Sequence, residues 1–269
     1  MFIILIIIFA FVLLFNVLQN KMVYKLFENG NVIVFGLRGN GKDLTFSHIT
    51  QLQSSKSIKD KKSKTKRKRC YISNVDYTEG VGYLPFSAES MGLGGNDFHN
   101  FINSDVSRYV YPYEDGYDYF ISDAGVYFPS QYNGELDKKY KSFPLFQALS
   151  RHVGKCNVHC NTQNIGRLWI KIREQSDTYI LCRGCNVKKL FGNLYFVTQK
   201  LTIYDNLTSA EQKRPPFPIF LMQGKEGRMR KAEYKAKYGN IKKMTLRYVS
   251  KITYNDRIFK TILEEGKSE

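Results

Sequence analysis

The residues best placed to do chemistry lie in one short stretch, Gly36-Leu37-Arg38-Gly39-Asn40-Gly41-Lys42-Asp43. Its spacing is G-x-x-x-x-G-K. Glycines at those places let backbone N–H groups turn inward around phosphate oxygens. A lysine directly after them reaches the β- and γ-phosphates, and a helix starting there adds the positive end of its dipole. The cradle predicted from this pattern runs from Gly36 through Leu44. The residue after the lysine is ordinarily a Ser or Thr whose hydroxyl holds Mg²⁺; here it is Asp43. A carboxylate beside Lys42 and the phosphates is costly without a cation, so Asp43 itself argues for a metal.

A phosphate loop of this kind needs a second strand that delivers an acidic residue to Mg²⁺, often with a neighbouring carboxylate to position the attacking water. The candidate is Ile121-Ser122-Asp123-Ala124. Two alignments are open. With Asp123 as the metal residue, Ala124 stands where the water-positioning carboxylate belongs, and nucleotide is bound but turned over poorly. Shifted by one, Ser122 stands at the metal position and Asp123 beside the water. Hydroxyl and carboxylate have then traded places between Asp43 and Ser122. Mg²⁺ wants oxygen ligands and keeps several waters, so either strand can supply the carboxylate.

The elements that must hold these residues follow from pattern. Val32 to Phe35 is an apolar strand before the loop, and Lys42 to Gln53 is a helix after it. Cys70 to Val75, Asp118 to Asp123, Cys156 to Thr162 and Asp177 to Arg183 read as strands; Phe143 to Arg151 and Gly166 to Gln175 read as helices. Such alternation predicts an α/β fold with a mainly parallel sheet. Lys188 to Tyr204 reads as a hairpin turning at Gly192-Asn193. Residues 76–116 read as irregular, with a short helix near Phe98 to Ile102.

The chain opens with an apolar run from Met1 to Leu18 broken only by Asn16. About 20 residues of helix span the hydrocarbon core, and no basic region or small-residue cleavage site marks a removed leader. A single N-terminal transmembrane helix over 1–19 is expected, with Asn20 to Asn31 as a short connector. Lys21 and Lys25 after the span place the C-terminal bulk in the cytoplasm, where nucleoside triphosphates are found.

The formal net charge is +17. Much of it lies in 56–69, K-S-I-K-D-K-K-S-K-T-K-R-K-R, which is expected as a solvated loop that contacts phosphates of nucleic acid or of anionic lipid, or that only solubilises. Tyr234, Tyr238 and Tyr248 interleave with cations between Lys225 and Lys251, a mixture that suits single-stranded nucleic acid and also an ordinary basic surface. Five cysteines in a cytoplasmic domain predict reduced thiols rather than disulfides. Zinc held by Cys182-x-x-Cys185 with Cys156, Cys160, His152 or His159 is the less favoured alternative.

Four segments together resemble the zonula occludens toxin family, the inner-membrane assembly ATPases of filamentous phages. They are the loop Gly36–Asp43, the stretch Phe120 to Pro129, Ser150-Arg151-His152-Val153-Gly154, and Asn161-Thr162-Gln163-Asn164. The resemblance covers roughly residues 30 to 185. It implies a RecA-like P-loop NTPase using ATP and Mg²⁺ to drive phage assembly and extrusion. It further implies that Lys42 binds phosphate, Asp123 polarises the water, Gln163 senses the γ-phosphate, and Arg151 serves a neighbouring subunit's site. In that family the span usually follows the ATPase domain; here it precedes it.

The organisation expected is a transmembrane anchor over 1–19, a P-loop ATPase domain over 27–210 and a basic C-terminal tail over 211–269. The expected partners are the host inner membrane, further copies of the chain, phage or plasmid assembly proteins, and single-stranded DNA held by 56–69 and the tail. The alternative is a non-hydrolysing, membrane-tethered protein that binds nucleotide and DNA or lipid.

Overall fold

The computed structural model describes residues 2–55, 57–59, 66–68, 70–73, 82–83, 117–132, 134, 157–192 and 194–251, with the side chains of 2–13, 54–55, 57–59, 66–68, 70–72, 82–83, 117, 119, 127, 132, 219 and 250–251 outside the description. Strands are β1 (Val32–Phe35), β2 (Ser57–Lys59), β3 (Lys66–Lys68), β4 (Cys70–Ser73), β5 (Gly82–Tyr83), β6 (Tyr117–Ile121), β7 (Val158–Thr162), β8 (Thr178–Phe191), β9 (Leu194–Tyr204) and β10 (Ile241–Lys251). Helices are α1 (Phe2–Asn29), α2 (Lys42–Ser55), α3 (Ala124–Tyr127), α4 (Ile170–Glu174), α5 (Leu207–Glu211) and α6 (Gly224–Tyr238).

Eight strands form one sheet in the order β10-β9-β8-β1-β7-β6-β4-β5. The pairs from β8 to β5 are parallel, and β8, β9 and β10 form an antiparallel meander at one edge. The mainly parallel α/β sheet is therefore as expected. β1 lies between β7 and β8, and β7 separates it from the acidic strand β6. The carboxyl ends of β1, β7 and β6 meet at one edge of the sheet, the place where open α/β sheets bind ligands.

β1 shows why the sheet is covered on both faces. Ile33 and Phe35 join a core with Ile121, Phe128, Leu168 and Trp169 on one face. Val32 and Val34 join Phe46, Ile49, Phe120 and Leu201 on the other. Alternation sends successive side chains to opposite faces, so an uninterrupted apolar run is what a doubly covered strand needs.

Three elements differ from expectation. The connector at 20–31 is instead a continuation of α1 to Asn29, with Val23 and Phe27 buried in the second core. Phe27 packs on Phe120 and His159, at 6.5 and 5.1 Å between centroids. The chain after residue 210, read as a tail, supplies the last residue of α5, all of α6 and the edge strand β10, with Met244, Leu246 and Tyr248 buried. Pairing with β9 buries only alternate residues there, so the many exposed lysines hid a strand. The run Gly166 to Gln175 divides into a 3₁₀ turn at Ile165–Arg167 and the short α4.

Within 56–69, Ser57–Lys59 pairs antiparallel with Lys66–Lys68, a small ribbon where a loop was expected. Arg151, His152 and Cys156, the helices expected near 98–102 and 143–151, and most of the irregular stretch expected over 76–116 lie outside the described residues. The expected span falls on the first part of α1. Among the described residues no helix is long and apolar enough to cross a membrane, and the side chains of its most apolar part lie outside them.

Asn20 closes the edge of the sheet. Its side chain accepts from the Arg247 N–H at 3.2 Å and donates to the Arg247 carbonyl, while the Arg247 guanidinium donates to Asn16. An edge strand's free backbone groups are thereby partly covered by α1.

Truncating Phe27 to Ala should cost about 3–5 kcal/mol of stability by urea unfolding; a loss below about 0.5 kcal/mol would mean that α1 is not part of the core. His48 stacks on Tyr248 at 3.7 Å and its Nε2 lies 3.1 Å from the Tyr24 hydroxyl. Burial lowers its pKa from 6.5 to about 4. The unfolded chain then takes up this proton first, so stability should fall as pH drops from about 6.5 towards 4. His48→Gln should flatten that part of the unfolding-versus-pH curve.

Candidate nucleotide site

The turn after β1 has the conformation that its glycines permit. Gly39 and Gly41 adopt φ of 84° and 75°, a region that other residues occupy only under strain. Gly41 also has no room for a side chain: a Cβ there would lie 2.4 Å from Gln199 Oε1 and 2.6 Å from Cys185 Cβ. The Asn40 side chain donates to the Cys182 carbonyl at 3.2 Å, and the Asn40 carbonyl accepts from Gln199 Nε2 at 2.8 Å. The turn is thus held from one side by β8 and β9. Gly36 packs against β8 too, with a Cβ there 2.7 Å from the Cys182 carbonyl oxygen. Leu37, Arg38 and Gly39 are exposed at the outer rim. Leu44 packs its side chain against the second core rather than towards the turn.

α2 begins at Lys42, whose side chain is 4% exposed. Its ammonium lies 2.5 Å from Asp43 Oδ1 and 3.1 Å from Asp123 Oδ1. Burial of a lone ammonium is expensive, and two carboxylates compensate it. Both carboxylates are half exposed, so the group opens to solvent on their side.

Asp123 follows β6 in a left-handed conformation, φ 49° and ψ 41°. Such a backbone costs on the order of 1–3 kcal/mol and persists where neighbours hold it. The neighbour is Asn161, fully buried at the end of β7. Its Oδ1 accepts from the Asp123 N–H at 2.6 Å. Its Nδ2 lies 3.1 Å from Asp43 Oδ1 and 3.2 Å from Ser122 Oγ. Asp43 and Ser122 therefore face each other across one amide group, and Asn161 ties the turn after β1 to the turn after β6.

Sequence reasoning missed Asn161 and took Gln163, two residues on, as the polar residue of that strand end. Gln163 is exposed and lines a cleft of about 200 Å³ with Asp123, Val126 and Arg167. Parity puts Asn161 and Gln163 on the same side of the strand, so alternation alone does not separate them; β7 ends at Thr162, which leaves Asn161 inside the sheet and Gln163 beyond it. With Val158 and Cys160 on the first core's face, Asn161 shares a face with His159, beside the turn. Arg151 falls outside the described residues.

The oxygen donors fit a hard cation: a carboxylate and a hydroxyl, each close to the same amide nitrogen, beside a second carboxylate. Among the described residues the cysteines form no comparable cluster. Cys160, Cys182 and Cys185 are free thiols; burial pushes Cys160 and Cys182 up to about 12 and raises Cys185. No group of three metal-binding side chains of the His, Cys, Asp and Glu type occurs among the described residues.

No family profile and no curated protein matches the sequence. Solved structures with a similar backbone include the N-terminal domain of zonular occludens toxin from Neisseria meningitidis. It is 13% identical with a TM-score of 0.41, over 63% of this chain and 82% of that one. The genome packaging NTPase B204 of Sulfolobus turreted icosahedral virus 2, in complex with AMPPCP, is 13% identical with a TM-score of 0.41, over 68% and 95%. The Legionella pneumophila ATPase DotB is 10% identical with a TM-score of 0.35, over 83% and 57%. At these scores the likeness carries no weight for function.

Replacing Asn161 by Leu removes one acceptor and two donor contacts while keeping the volume. It should lower stability by about 1–3 kcal/mol by denaturant unfolding and weaken binding of a fluorescent ATP analogue. Unchanged values for both would mean that Asn161 does not organise the two turns.

Proposed function

We propose that this chain is a membrane-anchored, Mg²⁺-dependent P-loop ATPase that works in phage assembly and extrusion or in moving DNA across the inner membrane. The observation that carries the reading is the meeting of Lys42, Asp43, Ser122 and Asp123 at the end of β1 and β6, joined by Asn161. The glycine turn and the N-terminus of α2 would cradle the phosphates, from Gly36 to Leu44, with Lys42 on the β- and γ-phosphates. Incoming phosphates would compete for the Lys42 ammonium and free the carboxylates now paired with it.

Asp43 and Ser122 would hold Mg²⁺ with hydroxyl and carboxylate exchanged between the two turns. The ion would neutralise charge developing on the phosphates. Asp123 would orient the attacking water, and Gln163 would reach the γ-phosphate from the rim of its cleft. Arg151 would act on a neighbouring copy's site, which makes the working form an oligomer. The order of motifs, shared with the zonula occludens toxin family, favours the phage role. The uncharged stretch from Phe2 to Phe15 on α1, ahead of the turns that Asn16 and Asn20 fix to Arg247, favours an anchor in the inner membrane with the domain on the cytoplasmic side.

Turnover of Mg²⁺-ATP by the purified full chain, with and without single-stranded DNA, tests the reading. Lys42→Ala and Asp43→Ala should each lose at least about a hundredfold in kcat. The double exchange Asp43→Thr with Ser122→Asp should recover most of it. Mg²⁺ dependence left untouched by Asp43→Thr alone would overturn the exchanged site. Tight ATP binding without turnover in the wild-type chain would favour the non-hydrolysing, tethered protein.

A further inference from the structure

The upper part of the β8–β9 hairpin has two faces with different surroundings. Cys185 and Gln199 are opposite each other and press on the glycine turn at Gly41 and Asn40. The intervening pairs Gly184–Lys200, Asn186–Thr198 and Lys188–Phe196 point to the other face. A register shift between Cys182 and Gly184 turns Arg183 onto that same face, where its Nε donates to Thr202 Oγ1 at 2.6 Å.

These residues line an open cleft of about 460 Å³. It contains three cations, two small polar side chains, one half-buried aromatic ring and no carboxylate. Among the described residues Lys188, Lys200 and Arg183 have no ion-pair partner. The next strand continues the pattern: Thr245 lies opposite Lys200, and Lys243 lies opposite Thr202. Lower down, the same sheet face is covered by the first core, which includes Tyr204.

We propose that this face of the meander binds the phosphodiester backbone of single-stranded DNA. Lys188 and Lys200 sit four residues apart along the hairpin, about 14 Å, which suits an extended polyanion better than a single phosphate. Phe196, opposite Lys188, offers a ring on which a base can stack whatever its identity. The face is distinct from the ribbon at 57–68 and from the phosphate turn. Because Cys185 and Gln199 on the reverse side touch the turn, strand binding and phosphate binding share one hairpin. The choice of DNA as the polymer rests on the function proposed above; the binding itself does not require turnover.

The test is fluorescence anisotropy of a fluorescein-labelled oligothymidylate of about 20 nucleotides with the full chain in nonionic detergent, without nucleotide or Mg²⁺. Lys188→Glu/Lys200→Glu should raise Kd at least about tenfold near 0.1 M salt. It should also reduce the slope of log Kd against log salt by about 1.4, two single-strand phosphates' worth. Lys25→Glu, at an exposed cation on α1, should bind as the wild type. If the double variant shifts the unfolding midpoint, Lys188→Gln/Lys200→Gln replaces it and the salt slope decides. An unchanged Kd and slope would overturn the proposal. So would loss of binding only to micelles doped with phosphatidylglycerol, which would assign the face to lipid. Wild-type DNA binding without ATP turnover would count against the ATPase reading and leave this face standing.

Discussion

A buried ammonium group sets the terms for the rest of this structure. Lys42 has almost no access to water, so its charge must be met by protein groups. Asp43 comes with it on the first turn of α2; Asp123 has to be brought from a strand that is not even adjacent to β1. The sheet order, the left-handed turn at Asp123 and the buried amide of Asn161 all serve that one convergence. Asn161 is a spacer as much as a bond: β7 lies between β1 and β6, and its terminal side chain fills the gap that this intervening strand creates.

The parts of this arrangement that were legible in the sequence are those encoded locally. Val32 to Phe35, the glycine spacing and the helix at Lys42 are contiguous, so their physics can be read from neighbours along the chain. The hairpin turn at Gly192 was legible for the same reason, since φ of 54° there suits glycine. The strand expected over Asp118 to Asp123 runs from Tyr117 to Ile121, and the pairing of Asp43 with Ser122 was one of the two alignments that the local sequence left open.

What escaped was set by tertiary neighbours. Nothing local distinguishes Asn161 from Gln163; only the placement of β7 beside the turn does. β8 was read as ending at Arg183 because its upper half is polar, yet it runs to Phe191 as one strand paired with β9. β10 was hidden by its lysines. α1 was cut at the end of its apolar run, although Val23 and Phe27, four residues apart, form the stripe that carries it onto the sheet.

The continuity of α1 has a mechanical consequence. From Phe2 to Asn29 there is no break, its last turns are part of the core, and Asn20 grips both backbone groups of Arg247. A flexible tether lets a domain tumble over a surface; a helix welded at one end to a sheet does not. Whatever holds the first half of α1 fixes the compass bearing of the phosphate turn relative to it. Any two molecules whose first half-helices were held in one plane would present their phosphate turns at one height and one tilt.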